Sequence, residues 1–278
     1  MKEDERPGRI VVVNLDAGGR PPLLEPGSRV RRVRSAELEA ALEAALAARP
    51  DVLGVAGGDG TLRAAADLAA GGPTAIAPIP AGTLNHFARR LGIATTAAAA
   101  PRTLRRTRVP IGIVDDTVFL NTATFGAYAD IVRQRDRLGR GRARWLAAAL
   151  AAVVAVRRLA WHDIEIVLPD GTILRRRTPL VWVRAPETVD EPALLEIIIF
   201  HLAGRLDAAR LMLRMMPHLA EDRLPADDPR VEVVRTRSVL LRSDARLGVT
   251  LDGEPTSRTP PFWIAVQDGA LAVALPVP

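Results

Sequence analysis

Apolar and polar positions follow one rhythm up to about residue 116 and another after it. In the first part, short and almost unbroken apolar runs recur: Arg9–Leu15 (RIVVVNL), Val52–Ala56 (VLGVA), Ile76–Ala81 (IAPIPA) and Val109–Val114 (VPIGIV). Each has the length and β-branched character of a fully buried strand. Helical patterns lie between them. Ser35–Arg49 places Leu38, Leu42 and Leu46 on one face, with Ser35 as N-cap and Glu37 and Glu39 in the first turn. Leu62–Ala70 is an Ala-rich helical stretch. Pro21–Val33 has no period and reads as irregular. Strand alternating with helix predicts a parallel α/β sheet.

After Asp116 the runs shorten and turn signals multiply. Val118–Ala123 is strand-like and Gly139–Leu159 helical. Ile164–Leu168 and Thr172–Arg176 flank Pro169-Asp170-Gly171, a hairpin pattern. Further strands are expected at Leu180–Val183, Leu194–Phe200, Val231–Arg235, Val239–Arg242, Val249–Asp252 and Phe262–Val266. Gln267-Asp268-Gly269 then reads as a turn into Ala270–Leu275, and one helix is expected near Leu206–Met216. The pattern therefore predicts two domains: α/β over residues 1–117 and β-rich over residues 118–278. There is no internal repeat.

Composition narrows the chemistry. The chain has 278 residues and is 48% hydrophobic, enough for a real core. It has no cysteine, which excludes disulfides, thiolate metal sites and thiol nucleophiles. The charged start, MKEDERPGR, lacks the apolar region of a signal peptide. The longest apolar helical run, Trp145–Val156, is shorter than the roughly 20 residues that span a bilayer. These features point to a cytoplasmic protein. The net charge of +6 comes almost entirely from arginine, because Lys2 is the single lysine. No lysine is therefore placed to serve a P-loop, a protein-kinase strand or a Schiff base. Aromatic residues, at 4%, are too few for the stacking platforms of nucleic-acid binders. Arg102–Arg108 and Arg133–Arg144 are either solvated arginines or contacts for anionic headgroups.

Val52–Thr61 (VLGVAGGDGT) carries the sharpest signal. A buried strand feeds Gly57, Gly58, Asp59, Gly60 and Thr61 and then a helix. Glycines let a ligand reach the backbone, and amides at a helix start favour phosphate. A carboxylate in such a loop calls for a divalent cation between it and the phosphate. Gly-Asp-Gly is also ordinary turn chemistry, so the loop alone leaves both readings open. The second apolar run, however, leads into Gly82–Arg90 (GTLNHFARR) in the same way. Two such loops share the carboxyl edge of one parallel sheet, where open α/β sheets bind ligands.

Together, GGDGT and GTLNHFAR resemble the signature of the diacylglycerol kinase catalytic-domain family, which includes bacterial lipid kinases and sphingosine kinases. The resemblance runs from Ile10 to about Pro276 and is specific in the first hundred residues. It implies a nucleotide-binding α/β domain, a β-sandwich-like second domain and an active site in the cleft between them. It implies ATP and Mg2+ as cofactors. Asn14, Gly57, Gly58, Asp59, Gly60, Thr61, Gly82, Thr83, Asn85 and Glu254 would contact the nucleotide. Asp115, shortly before Phe119–Asn121, would help Asp59 and Glu254 to hold magnesium. Leu251–Pro255 (LDGEP) resembles the family's Asp-Gly-Glu motif, with Asp252 as general base for the acceptor hydroxyl; on its own it is another turn.

The chain departs from the family pattern at three places. Leu15 stands where a proline follows the first-strand asparagine. His86 replaces an aspartate common after Asn85. Ala185–Leu195 lacks the glycines and the Asp-Gly-Leu segment that bind a structural magnesium in some members, so that metal is expected to be absent. The remaining histidines, His162, His201 and His218, show no ligand spacing.

The resulting expectation is an ATP-dependent lipid kinase acting on a diacylglycerol-like or other long-chain lipid. It would meet the membrane surface transiently, with Trp145–Val156 as the candidate contact; the same stretch equally reads as a helix packed on the β-rich domain. No nucleic acid and no obligate protein partner is expected. A kinase of the same fold acting on a soluble hydroxyl such as NAD, or a non-catalytic nucleotide- or lipid-binding protein, are the alternatives.

Overall fold

The structure, a computed structural model, describes residues 10–19, 24, 28–94, 104–126, 156–157, 159–186, 192–215 and 228–277. Contacts divide the chain into two compact units. The first comprises residues 1–121, 186–193 and 266–278; the second comprises 122–185 and 194–265. The segment expected to form a long helix at 139–159, including the candidate membrane contact, lies almost wholly outside the described residues.

In the first unit, β1 (Ile10–Asn14) lies between β2 (Arg29–Val33) and β3 (Val52–Gly57), with β4 (Ala75–Pro80) beside β3. All of these pairings are parallel. The unbroken apolar runs are explained by burial on both faces. Val12 joins one core cluster with Val55, while Val11 and Val13 join another with Ala56 and Ile79. Helices α1 (Leu38–Ala47) and α2 (Asp59–Ala69) pack against the first face. In α2 the buried positions are Leu62, Ala65, Ala66 and Ala69, a helical stripe. A short α3 (His86–Arg90) follows β4. Then β5 (Leu104–Val114) and β6 (Thr117–Phe119) form an antiparallel hairpin.

Three expectations change here. Arg29–Val33 is a strand, although it reads as irregular. Its side chains are mostly exposed, and its place comes from backbone pairing with β1. Ser35 is not a helix N-cap. It begins a 3-10 turn, Ser35–Glu37, and α1 starts only at Leu38. The second helix begins at Asp59, three residues earlier than the apolar period suggests, so Asp59 itself stands in its first turn.

The second unit is antiparallel. One sheet has the order β12-β11-β10-β7-β14-β15: Val231–Thr236, Leu195–Phe200, Leu180–Arg184, Thr122–Gly126, Val249–Leu251 and Glu254–Thr256. The other joins β8 (His162–Val167), β9 (Ile173–Thr178), β13 (Ser238–Arg242) and the first residues of β16 (Phe262–Pro276). Phe125 of β7 meets Phe262 of β16, with ring centroids 4.9 Å apart, so the two sheets face each other across an aromatic core. α4 (Arg205–Met215) covers β10 and β11 through Leu211, which packs on Ile198, Phe200 and Trp182.

Two strand expectations are corrected. The run Val118–Ala123 is not one strand. It breaks after Phe119, where the chain passes from the first unit to the second. Conversely, Gln267-Asp268-Gly269 is not a turn. One strand, β16, runs from Phe262 to Pro276, with Gly269 at φ +56°. Its later part returns to the first unit, where Val273 pairs in parallel with Ile76. That ladder stops short of Pro78 and Pro80, which have no N–H to donate. The sequence boundary at 117/118 thus compares with an observed division at 121/122, plus a C-terminal strand that rejoins the first unit. Among the described residues, no helix is long and apolar enough to cross a membrane.

Candidate active site

In the first unit, the loops after β1, β3 and β4 touch backbone to backbone. Gly19 donates its N–H to the Ala81 carbonyl at 2.8 Å. A Cβ on Gly19 would lie 2.4 Å from that oxygen. A Cβ on Gly82 would lie 2.4 Å from the Cα of Gly58, and one on Gly57 would meet the Thr61 side chain at 2.4 Å. Real Cβ atoms do not approach so closely. Here glycine is demanded by crowding, which brings three loop backbones into one shallow cradle. The N-terminus of α2 opens within it. Gly58 occupies the N-cap and has no side chain to satisfy the first amides. Such amides are suited to a phosphate.

The polar side chains of the cradle hold one another. Asn14, buried at the end of β1, donates from Nδ2 to the Thr61 Oγ1 at 3.0 Å. Its Oδ1 accepts from the Asp16 N–H at 3.0 Å and from the Ser35 hydroxyl at 3.3 Å. Asp16 in turn accepts from the Ser35 N–H at 2.8 Å and from Arg34. The Ser35 amide, with the Arg34 charge beside it, holds the Asp16 carboxyl below its ordinary range. Asn85 has left-handed backbone, φ 52°, which asparagine tolerates. Its amide grips Gly82 at both ends: Oδ1 accepts from the Gly82 N–H and Nδ2 donates to the Gly82 carbonyl, each at 2.9 Å. Thr83 is exposed.

Asp59 sets the cradle against α3. Its Oδ2 accepts the His86 N–H at 3.1 Å, and its Oδ1 accepts the Phe87 N–H at 2.9 Å and the Asn121 Nδ2 at 3.4 Å. The carboxylate therefore caps the short helix that bears His86. Asn14 and Asn85, predicted as nucleotide contacts, each brace a loop of the cradle. Asp115 is exposed in the β5–β6 turn with φ 55°. Asn121 received no role from sequence reasoning, and Ser35 only that of a helix N-cap. Asn121 was visible as the end of a Phe-x-Asn pattern, whereas nothing in the sequence ties Ser35 to Asn14.

In the second unit, Asp252 and Gly253 are the central residues of the β14–β15 hairpin, at φ 49° and φ 84°. Positive φ at both positions is what a type I′ turn requires, and Asp-Gly supplies it. The Asp252 N–H donates to the Thr122 carbonyl at 2.7 Å, and its Oδ1 accepts the Thr122 N–H at 2.9 Å. The carboxylate is thus clamped on the β7 backbone with Oδ2 outside that clamp. Glu254 is exposed on the following strand. A separate open depression of about 790 Å³ in the second unit, lined by residues including Asp163, Arg175 and Arg242, contains none of the predicted site residues. Among the described residues, no group of three or more His, Asp or Glu side chains is placed to hold a metal ion.

Residues 22–114 match the model of the diacylglycerol kinase catalytic domain, a stretch that includes the β3 and β4 loops. Over those residues the chain is similar to the diacylglycerol kinase catalytic-domain family. A Pseudomonas aeruginosa (strain UCBPP-PA14) protein named "Probable lipid kinase YegS-like" is 48% identical over 89 residues. That match covers 31% of this chain and 30% of the relative, so it spans under a third of the relative's length. A protein of the same name from Pseudomonas fluorescens (strain Pf-5) is 29% identical over 251 residues, 84% of this chain and 81% of the relative. The crystal structure of a diacylglycerol kinase from Bacillus anthracis strain Sterne shares the fold, with a TM-score of 0.67, 16% identity and 96% of each chain covered. The fold is therefore shared by two chains of very different sequence.

Proposed function

We propose that this protein is an ATP-dependent lipid kinase, transferring the γ-phosphoryl group to a hydroxyl of a diacylglycerol-like or other long-chain lipid. The observation that carries the reading is the cradle itself: three glycine-bearing loops locked together around an uncapped helix N-terminus, within a stretch that matches a kinase catalytic domain. The nucleotide phosphates lie on the amides of residues 58–61 and near Gly82 and Thr83. With no lysine at hand, phosphate is held by backbone dipoles and arginine. Asn14, Thr61 and Asn85 keep those loops in register, so little ordering is left for the ligand to induce.

Asp252 is the general base. An attacking hydroxyl sheds its proton late in a loose transition state, and a fixed carboxylate beside it accepts that proton. The clamp on Thr122 fixes the position of the carboxylate. Magnesium typically keeps several waters and takes one or two carboxylates plus substrate phosphates, so the lack of a three-acid cluster among the described residues is compatible with it. Asp59, with Asp115 and Glu254, is the candidate set; bound there, the ion would neutralise charge on the phosphates. Lipid reaches the protein at a membrane surface, and the enzyme works as a cytoplasmic, peripheral protein.

Transfer of labelled phosphate from ATP into a panel of lipids by the purified protein tests the proposal. Incorporation that depends on magnesium and is lost in Asp252→Asn is expected. Transfer to no lipid, or transfer that Asp252→Asn leaves unchanged, overturns it.

A further inference from the structure

The helix α4 buries one side and exposes the other in a chemically specific way. Ala208 and Leu211 are 5% and 3% exposed, facing the β10–β11 surface. On the opposite side, Leu206 and Leu213 are 77% and 68% exposed. They lie seven residues apart, two turns along one face. Arg210 falls between them on that face, and Arg205 and Arg214 border it; all three are exposed. The helix carries one acid, Asp207, at the edge of the buried side. It accepts from Arg230 at 3.1 Å and from the Ala203 N–H at 3.3 Å, so its charge is matched inside the unit. The outward arc is therefore two projecting leucines framed by three arginines.

Isolated exposed leucines are common, but two aligned on one helix face among cations form a pattern with a recognised physical use. Leucines enter the acyl boundary of a bilayer while arginines meet anionic headgroups. We infer that the α4 face bearing Leu206, Arg210 and Leu213 docks the protein on an anionic phospholipid surface. Charge decides for this occupant. The helix face carries Arg205 and Arg210 and no acid, with Arg214 at its border paired to Asp228 at 3.5 Å, so its net positive charge complements a negative headgroup layer. This inference rests on the lipid-kinase reading for its purpose, since a membrane-borne substrate gives docking a reason. The docking itself is measured separately. The contact predicted at residues 145–156 lies outside the described residues, and α4 needs no help from it.

Flotation of the full chain with vesicles is the test. Vesicles of phosphatidylcholine mixed with phosphatidylglycerol should bind it, and pure phosphatidylcholine should bind it far less. High salt should weaken the binding. Leu206→Gln with Leu213→Gln should lower vesicle affinity about tenfold or more. Arg205→Gln with Arg210→Gln should lower it about fivefold per arginine and erase the preference for anionic lipid. Circular dichroism checks that each variant is folded, and the arginine pair, fully on the surface, stands in should the leucine pair fail. Equal binding to both vesicle types, or unchanged binding in the folded variants, overturns the inference. So does a second copy of the chain on this face, seen as a dimer in sedimentation equilibrium that the leucine variant dissolves. Phosphorylation of a water-soluble short-chain diacylglycerol separates the two claims. Vesicle binding without transfer sinks the kinase reading alone, and transfer without vesicle binding sinks the docking alone.

Discussion

Gly82 and Gly253 stand in the two halves of the proposed chemistry, yet glycine is there for opposite reasons. A Cβ on Gly82 would collide with the Gly58 backbone at 2.4 Å. A Cβ on Gly253 would meet nothing within 4 Å; there the demand is a backbone at φ 84°. The first half is made by close approach of chains, the second by the handedness of a two-residue turn. A loop fixed by crowding resists any side chain, whereas a turn fixed by torsion accepts whatever tolerates a left-handed backbone. The same division separates the carboxylates. Asp59 spends both oxygens on α3 and Asn121, while Asp252 uses one oxygen on Thr122.

The largest effect that would sharpen this contrast is expected at Asp252. Asparagine keeps the oxygen that accepts from Thr122 and removes the base. Transfer should fall by about 10² to 10⁴ with the melting temperature nearly unchanged; a comparable loss of folding stability would make Asp252 a turn residue only. Next is Gly82→Ala, which should destabilise by about 1–3 kcal/mol through overpacking and remove nucleotide binding. Thermal unfolding with and without ATP measures both, and a normal ATP-induced shift would break the crowding argument. Asp59→Asn should cost about 1–3 kcal/mol, because one backbone N–H of α3 loses its acceptor; denaturant midpoints check it. Gly253→Ala should cost about 1–2 kcal/mol from left-handed strain, but Gly253→Asn should be nearly neutral, whereas Gly82→Asn should be worse than Gly82→Ala. If asparagine is as harmful at 253 as at 82, the distinction fails.

The smallest effect at neutral pH concerns Asp228. Its side chain is 1% exposed, and Arg230 hydrogen-bonded to it holds its carboxyl far below the ordinary 3.8. A depressed folded value means that the ion pair's contribution is complete above pH 3.8 and drains away as pH falls below it. Tryptophan fluorescence should report unchanged stability from neutral pH down to about 5 and a steep loss in acid, blunted in Asp228→Asn.

Much of this was legible from residue order. The buried parallel strands announce themselves because both faces are apolar, as Val11, Val12 and Val13 show. The glycine loops were visible because crowding leaves no alternative residue at Gly57 or Gly82. Legibility ended where partners are distant or where pairing is backbone alone. Arg29–Val33 becomes a strand by adding to β1, with no apolar pattern of its own. Asn14 and Asn85 read as ligand contacts because an amide's partner, Thr61 or Gly82, cannot be named from spacing. Gln267-Asp268-Gly269 carries turn chemistry, but pairing on either side keeps the strand running and Gly269 absorbs the bend.

That long final strand has a consequence for how the chain becomes a protein. Leu271, Val273 and Leu275 complete the same apolar cluster that Val12, Leu53 and Ile76 begin. Synthesis therefore delivers the first-unit sheet unfinished, and it stays so until residues 271–275 have been made. A polypeptide cut after residue 117 carries both glycine loops but lacks one wall of its own interior.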